Sequence, residues 1–311
     1  MIDLEEYHPD DYKLRDIKAA KKEVDEIVDI ITMPTEKISL ETRKEISKKT
    51  VRNFRDHINK GFLEYRKSVT EATGFAVTEW TGEGSILVDA LDRQFLDLLG
   101  GFGLYSYGIR HPKIIAAVKS QLDRSPQYSQ EMLDPLRAQL AKVLALLTPG
   151  KIQYGFFANS GTEAVDGAMK LAKLYTGKKG FISTLKAFHG KSLGALSLMG
   201  KHVFRKPLLP LLDGIRQAPF GDLKAMEQEL ISARAVGDDI AAVVLEPIQG
   251  EAGAIVPPDD YLPGVRELCD RYGVLMIADE VQTGFGRTGE LFGVDHWNVK
   301  PDIMCFGKAL G

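Results

Sequence analysis

The sequence predicts an α/β fold with a mostly parallel sheet, because strand and helix patterns alternate along its second half. Apolar runs without polar alternation, typical of strands buried on both faces, cover residues 180–183, 240–246, 274–278 and 302–306. The helical patterns that alternate with them cover residues 161–175, 222–235 and 261–272. A further strand is expected at residues 154–158, directly before the first of these helices.

The first third of the chain has a different pattern. Residues 1–60 are rich in charge and predict a helical extension. One apolar stripe on it consists of Ile17, Ala20, Val24, Ile27, Val28 and Ile31, and a second of Ile46, Val51, Phe54 and Ile58. Short strands are expected at 85–89 and 94–99, followed by a glycine-rich stretch and a helix that begins at Pro112. We therefore divide the chain into an extension, part of a small domain at 61–115, and a large domain at 116–311.

Composition narrows the function classes. The 311 residues are 44% hydrophobic and 27% charged, with a net charge of −3, as in an ordinary soluble globular protein. This balance gives no electrostatic footprint for nucleic acid or an anionic membrane. Residues 1–6 are acidic and lack the order of a signal peptide, so a cytoplasmic protein is expected. Cys269 and Cys305 lie in apolar patterns and predict reduced, buried thiols rather than a metal site.

Two reactive side chains follow neighbouring buried strands. Asp279 ends the strand at 274–278, and Lys308 follows the strand at 302–306. A lysine amine can form a Schiff base with pyridoxal phosphate (PLP), and a carboxylate can hold the proton on the pyridine nitrogen that makes the ring an electron sink. The pair therefore indicates a PLP enzyme.

The segment Asn159-Ser160-Gly161-Thr162-Glu163-Ala164 turns from a strand into a helix and allows two interpretations. The hydroxyl groups, backbone N–H groups and glycine of Ser160, Gly161 and Thr162 suit a phosphate at the helix N-terminus. Alternatively, Ser160 caps the helix and Glu163 completes a capping box. The two interpretations are compatible, and the acid and lysine downstream favour the phosphate.

Two better-known nucleotide motifs are rejected. Residues 284–289 read G-x-G-x-x-G after a strand, but a dinucleotide fold needs this motif to open an amphipathic helix. Residues 290–296 lack helical periodicity, so NAD binding is not expected. Gly190-Lys191-Ser192 resembles the end of a P-loop, but Leu185 stands where the opening glycine belongs.

Further positions near the strand ends could contact a planar cofactor. In Phe188-His189-Gly190 the aromatic ring could lie flat on the cofactor, although a hydrophobic plug in a loop is the other interpretation. Asp279 and Val281 share one side of the chain because side chains alternate along a strand, and Gln282 could reach a ring hydroxyl. Glu246 ends another apolar strand, where a buried carboxylate needs a partner.

Five motifs occur in order along the chain. They are residues 159–164, Phe188-His189-Gly190, Glu246-Pro247-Ile248-Gln249-Gly250, Asp279-Glu280-Val281-Gln282-Thr283-Gly284 and Lys308-Ala309-Leu310-Gly311. Together they resemble the class III, ornithine-type aminotransferases, a PLP family of fold type I. The likeness runs from about residue 55 to the end, and residues 61–68 and 129–137 resemble its putrescine-specific members in particular.

The resemblance implies a role for each motif residue. Lys308 would form the Schiff base and carry the proton between substrate and cofactor, and Asp279 would pair with the pyridine nitrogen. The other expected cofactor-binding residues are Ser160, Gly161 and Thr162 at the phosphate, Phe188 and Val281 on the ring faces, His189 beside Phe188, and Gln282 at the phenolic oxygen. Glu246, with Gln249 as a weaker candidate, would line the substrate pocket.

The resemblance also implies a reaction. Putrescine, or the related diamine cadaverine, would donate its amine to 2-oxoglutarate, and putrescine would give 4-aminobutanal and glutamate. Lys191 stands where many relatives carry an arginine that clamps a substrate carboxylate. A lysine lacks the bidentate fork of arginine, which suits a donor without a carboxylate. Another ω-aminotransferase, of the acetylornithine, ornithine or 4-aminobutyrate type, stays open as the alternative.

The length of the chain adds one more expectation. Family members continue past the lysine through the rest of the sheet and a C-terminal small domain, so the sequence is expected to be truncated there. An inactive fragment is therefore a further alternative. The family implies a homodimer in which both subunits build each active site, with small-molecule substrates and no nucleic acid, membrane or metal partner.

Overall fold

The computed structural model describes residues 16–34, 37–58, 61, 69–70, 75–125 and 131–311. Its contacts divide the chain into an N-terminal unit, Met1–Leu96, and a C-terminal unit, Asp97–Gly311. The expected domain limits at residues 60 and 115 stay predictions. Residues 1–15, 62–68 and 129–130, on which the interpretations of the acidic terminus and of the putrescine-type segments partly rest, lie outside the described residues.

The N-terminal unit begins with the two predicted helices, α1 (Ile17–Thr32) and α2 (Leu40–Asn53). The carboxylate of Asp16 caps α1 by accepting the N–H of Ala19 at 2.9 Å. A π-helical turn, Phe54–Ile58, continues α2. None of the helices in the described ranges is both long and apolar enough to cross a bilayer.

Short antiparallel strands complete the N-terminal unit. Strands β1 (Val69–Thr70) and β2 (Phe75–Ala76) pair with each other. Strands β3 (Glu79–Glu83), β4 (Ile86–Asp89) and β5 (Gln94–Leu96) form a three-stranded meander. The two strands expected in this region therefore exist, although the second ends at Leu96 rather than at residue 99.

The C-terminal unit is built on a five-stranded parallel sheet, which confirms the predicted fold class. Its strands are β6 (Gly180–Thr184), β7 (Ile215–Ala218), β8 (Ile240–Leu245), β9 (Leu275–Asp279) and β10 (Ile303–Cys305). The spatial order is β10-β9-β8-β6-β7. The helices are α3 (Pro112–Arg124), α4 (Pro135–Leu147), α5 (Gly161–Thr176), α6 (Leu193–Leu198), α7 (His202–Arg205), α8 (Leu223–Val236) and α9 (Tyr261–Tyr272).

Helices cover both faces of this sheet. On one face, Met226 and Leu230 of α8 pack with Val265 and Leu268 of α9 against the strands. On the other face, residues of α5 and α6, including Val165, pack against the same strands. Every residue of β8 is buried, which explains why its sequence lacks polar alternation. The edge strand β7 is only partly buried. It was not predicted because Arg216 and Gln217 interrupt the apolar pattern on which the other strands were identified.

The prediction of a strand at residues 154–158 is wrong. This segment is irregular, with Tyr154 92% exposed and Phe156 65% exposed. It borders a cleft of about 440 Å³, whose other wall includes Ile303–Cys305 of the edge strand β10. A strand needs a hydrogen-bonded neighbour, and none pairs with this segment among the described residues. An apolar run therefore predicted burial that the segment does not have.

Candidate active site

The predicted site residues lie at the carboxyl edge of the parallel sheet. Strands β6, β8, β9 and β10 end at Thr184, Leu245, Asp279 and Cys305. The segments that directly follow these strands carry Phe188, His189, Glu246, Val281, Gln282 and Lys308. Because parallel strands all end at the same edge, residues from distant parts of the sequence meet there.

Asp279 and His189 form a buried pair at this edge. The distance from His189 Nδ1 to Asp279 Oδ2 is 2.7 Å, and both side chains are buried. The other carboxylate oxygen of Asp279 accepts the N–H of Val281 at 3.1 Å. Burial by itself lowers the pKa of His189, but the hydrogen bond and charge of Asp279, with the charge of Glu246, outweigh it and raise that pKa. The imidazole therefore favours its charged form beside the carboxylate.

Lys308 lies half-buried close to these groups. Its Nζ donates a hydrogen bond of 2.8 Å to Oε1 of Gln282. Burial lowers the pKa of Lys308, and the negative charges of Asp279 and Glu246 offset part of that effect. The amine is consequently closer to its neutral, nucleophilic form than an exposed lysine would be.

Two glycines that the motif analysis did not assign lie against this lysine and glutamine. A Cβ on Gly250 would lie 2.6 Å from Oε1 of Gln282, so a larger residue would displace the amide. Gly103, at a φ of +88°, faces Gln282 and Lys308, where a Cβ would lie 3.5 Å from Gln282 Cγ and 3.6 Å from Lys308 Cδ. The glycine-rich stretch was visible in the sequence, but its neighbours were not.

The N-terminus of α5 contains the predicted serine cap, but Glu163 binds one residue before the N-cap instead of completing a capping box. Ser160 Oγ accepts the N–H of Glu163 at 3.3 Å, and Glu163 Oε2 accepts the N–H of Asn159 at 2.7 Å. These two bonds thus use the N–H groups of Asn159 and Glu163 rather than those of Gly161 and Thr162. The positive end of the helix and the N–H groups of Gly161 and Thr162 suit an anion. The serine cap and the anion site are therefore both compatible with the structure.

A second loop closes on the same helix end. The Oγ1 of Thr162 lies 2.6 Å from Ser192 Oγ and accepts the N–H of Ser192 at 3.0 Å. A Cβ on Gly190, which has a φ of +118°, would overlap the side chain of Thr162. On the other side, a Cβ on Gly161 would lie 2.8 Å from Val281 Cγ1. The glycines of these motifs are therefore required by close packing at the helix end.

Glu246 is bound to backbone on both of its oxygens. Its Oε1 accepts the N–H of Phe188 and its Oε2 accepts the N–H of Gly250, each at 2.9 Å. Burial raises the pKa of this carboxyl group, and the charge of Asp279 adds to the rise. Gln249 is fully buried, and its Nε2 donates to Thr184 Oγ1 at 3.0 Å. Glu246 therefore holds the loop that carries Phe188, while its expected place in the substrate pocket stays a prediction.

Two residues near the site were missed by the motif analysis. Glu280 is buried, and its carboxylate accepts hydrogen bonds from Thr283 and from the N–H groups of Gly293 and Val294, the latter two at 2.9 Å. Phe204 packs edge-to-face on Phe188, with ring centroids 6.0 Å apart. Glu280 directly follows Asp279 in one of the recognised motifs, but the motif did not identify its partners. Phe204 lies outside every recognised motif, so the sequence carried no indication of its contact.

These observations fit PLP. The site joins an anion-binding helix end, a buried carboxylate that could hold a ring-nitrogen proton, and an amine with a lowered pKa. His189 Nε2 is buried without a hydrogen-bond partner in the described part of the chain. No cluster of three or more metal-ligating side chains occurs among the described residues.

The chain matches a known family over most of its length. The sequence profile described as "Aminotransferase class-III" matches residues 67–311. The solved structures that it resembles include several transaminases. An amine transaminase from an uncultivated Pseudomonas species, solved in its PLP-bound form, is 31% identical, with a TM-score of 0.73. The match covers 79% of this chain and 61% of that one.

Two further structures agree with this likeness. An (S)-enantioselective omega-transaminase from Thermomicrobium roseum is 29% identical with a TM-score of 0.74, over 85% of this chain and 63% of that one. A taurine:2-oxoglutarate aminotransferase from Bifidobacterium kashiwanohense, in complex with PLP and glutamate, is 26% identical with a TM-score of 0.75. That match covers 85% of this chain and 62% of the other. The chain thus spans somewhat less than two thirds of the length of these relatives.

Proposed function

The chain belongs to the class III aminotransferase family, and from that premise we propose that its site carries out PLP-dependent transamination. One observation carries the proposal. Lys308, with a lowered pKa, follows β10, and Asp279, which pairs with the buried His189, ends the adjacent strand β9. When bound, PLP supplies an electron sink for the pair of electrons left on the substrate carbon after its proton is removed.

The residues of the chain have separate tasks in this proposal. The neutral amine of Lys308 takes the proton from the substrate carbon and returns it at the cofactor carbon. Asp279 would hold the proton on the pyridine nitrogen, and the contact with His189 Nδ1 orients this carboxylate. The N–H groups of Gly161 and Thr162 bind the phosphate at the positive end of α5. Gln282, whose Oε1 accepts the Nζ of Lys308, would donate its amide N–H to the phenolic oxygen.

Phe188 and Val281 complete the proposed cofactor site by packing on the two faces of the ring. Glu246 supports this arrangement because it holds the backbone N–H of Phe188 at 2.9 Å. Val281 is held against Gly161, where no Cβ would fit. Ser160 caps the helix by accepting the N–H of Glu163, which leaves its O–H proton available to donate to the phosphate.

We propose putrescine, with cadaverine as a related donor, and 2-oxoglutarate as the acceptor. Lys191 supports a donor without a carboxylate, because its ammonium lies 4.9 Å from the ring of Phe204 and offers no bidentate fork. The relative named as a taurine:2-oxoglutarate aminotransferase supports the acceptor. The likeness to amine and omega-transaminases favours a different amine donor as the second candidate.

The test is covalent trapping followed by a substrate panel. The full-length gene product is incubated with PLP, reduced with borohydride and digested, and the pyridoxyl group is expected on Lys308. The variant Lys308→Arg is the control and is expected to show no adduct at this position. Putrescine, cadaverine, ornithine and 4-aminobutyrate are then compared with 2-oxoglutarate as acceptor. Absence of the adduct on Lys308 would refute transamination, whereas faster turnover of another donor would refute only the diamine assignment.

The remaining proposals follow from the family. We propose a homodimer in the cytoplasm, with the domain limits expected from the sequence at residues 60 and 115. Light scattering coupled to size-exclusion chromatography tests the first point, with a mass of twice the chain expected. A monomer that retains full turnover would contradict it.

A further inference from the structure

A second aromatic ring, outside every motif considered above, lies against Phe188. The ring of Phe204 meets that of Phe188 at 79° with centroids 6.0 Å apart. This is the edge-to-face arrangement that aromatic rings prefer. Both residues are partly buried. The contact therefore restricts the plane that the Phe188 ring can adopt.

The segment before Phe204 is bonded at Gly200 to the backbone directly before Phe188. The N–H of Gly200 donates to Ala187 O at 3.0 Å, and the O of Gly200 accepts the N–H of Lys186 at 3.0 Å. A Cβ on Gly200 would overlap the backbone of residues 184–186. The short helix α7 starts two residues after Gly200 and carries Phe204. The bonds of Gly200 therefore fix the position from which Phe204 projects.

A second anchor joins the same segment to the loop after β8. Lys201 Nζ donates to the backbone oxygen of Glu251 at 2.5 Å and lies 3.5 Å from its carboxylate. That loop also contains Gly250, which shares the carboxylate of Glu246 with the N–H of Phe188. The backbone of Phe188 and the ring that packs on it are consequently held by one connected set of contacts.

Lys191 contacts the ring of Phe204 at the surface of the protein. Its Nζ lies 4.9 Å from the centroid of the Phe204 ring, a distance at which a cation is attracted to an aromatic face. Lys191 is exposed, so its ammonium stays solvated while it attracts the face of the Phe204 ring. The order from surface to site is Lys191, Phe204 and Phe188.

We propose that Phe204 is a positioning residue that fixes the plane of the Phe188 ring, with Lys191 holding Phe204 in place. The inference rests on the proposed function, in which Phe188 stacks on the cofactor ring. It adds a residue that does not touch the cofactor but determines how well Phe188 can. Loss of the Phe204 ring should weaken cofactor binding and change the circular dichroism induced in the bound cofactor, although no residue that contacts the cofactor is removed.

The test compares Phe204→Leu with Phe204→Tyr, which keeps the ring, and with Phe220→Leu as the matched control. Phe220 forms an edge-to-face pair with Tyr261, with centroids 5.3 Å apart, in the core cluster of α8 and α9. The measurements are the PLP dissociation constant and the circular dichroism induced in the bound cofactor. We expect about three- to tenfold weaker binding and a reduced signal for Phe204→Leu. Phe204→Tyr and Phe220→Leu should retain wild-type values for both measurements.

The contact itself is measured without cofactor. With 4-fluorophenylalanine at position 188 of the apo protein, Phe204→Leu should shift and broaden the fluorine resonance, and Lys191→Met should do so less. Unchanged cofactor binding and resonance in Phe204→Leu, or losses equal to those of Phe220→Leu, overturn the inference. If the wild-type protein shows the ring contact but binds no PLP, the proposed function fails and this inference falls with it.

Discussion

Lys308 combines a lowered pKa with a backbone angle that lysine seldom adopts. Its φ is +48°, in the left-handed region, where a residue with a Cβ carries a cost of about 1–2 kcal/mol. Such strain persists when the surroundings fix the residue, and here Gln282 holds the amine at 2.8 Å. The sequence could indicate this lysine from its place after a strand, but neither the backbone angle nor the Gln282 contact could be derived from spacing.

The lowered pKa of Lys308 predicts its reactivity. Because burial favours the neutral amine, competitive labelling of the apo protein with an amine reagent should give a midpoint below 10.5. In Asp279→Asn the midpoint should fall further, since the charge of Asp279 raises the pKa of Lys308. A midpoint at or above 10.5, or an upward move in Asp279→Asn, would contradict this account of the electrostatics.

The Asp279–His189 pair predicts a stability effect that depends on pH. Removing one partner of a buried ion pair leaves the other charge uncompensated, so His189→Leu should cost roughly 3–5 kcal/mol in the free energy of unfolding. The folded-state pKa of His189 is raised, so its ionic contribution is complete below 6.5 and is lost as pH rises through the raised value. The difference from wild type should shrink over that range in urea titrations.

A surface histidine provides the control for this experiment. His296 is exposed, and its Nε2 lies 3.0 Å from Thr288 Oγ1. His296→Leu should change the free energy of unfolding by less than about 0.5 kcal/mol. Equal losses in the two variants, or a difference for His189→Leu that grows with pH, would be incompatible with a buried imidazolium.

At the scale of elements, buried strands were predictable and a strand without a neighbour was not. Strands β8 and β9 lie between others and between two helical layers, so burial on both faces determined their apolar sequence. Residues 154–158 carry the same type of sequence, yet they face a cleft. Hydrophobicity indicates that a segment prefers burial, whereas a strand also requires a hydrogen-bonding partner that a single sequence does not specify.

Glu280 shows how a buried acid can organise a loop. Its carboxylate accepts three hydrogen bonds, from Thr283, Gly293 and Val294, and so connects the end of β9 to the turn Gly293–Trp297. Glu280→Gln places an N–H₂ group against these donors and should cost about 1–3 kcal/mol. Hydrogen exchange at the amides of Gly293 and Val294 should accelerate by the corresponding factor.

The exposed Glu290 in the same loop is the matched control, and Glu290→Gln should leave both exchange and unfolding unchanged within error. Retained protection at Gly293 and Val294 in Glu280→Gln would show that another contact fixes the turn. The loop matters to the site because it begins with Val281 and Gln282, which contact Gly161 and Lys308.

For the whole molecule, the order of motifs was enough to predict the edge of the sheet at which they meet. Parallel strands bring their carboxyl ends together whatever the length of chain between them. Partners that depend on side-chain direction were not predictable, and Glu246 is an example. Its place in the substrate pocket stays a prediction, whereas the backbone N–H groups that its two oxygens accept could not be derived from the motif. The contacts of Phe204 and Gly103 were missed because both residues lie on four-residue helical segments, too short to show a periodic pattern.

All the site contacts described above lie within Asp97–Gly311, which predicts that this unit suffices for them. Both core clusters, and residues from Gly103 to Lys308, belong to it. A protein that starts at Asp97 should therefore keep the slow amide exchange of β8 and β9 seen in the 311-residue chain. The labelling midpoint of Lys308 should also be the same in both. Faster exchange across β8 and β9, or a shifted midpoint, would mean that Met1–Leu96 stabilises the sheet or shapes the environment of Lys308.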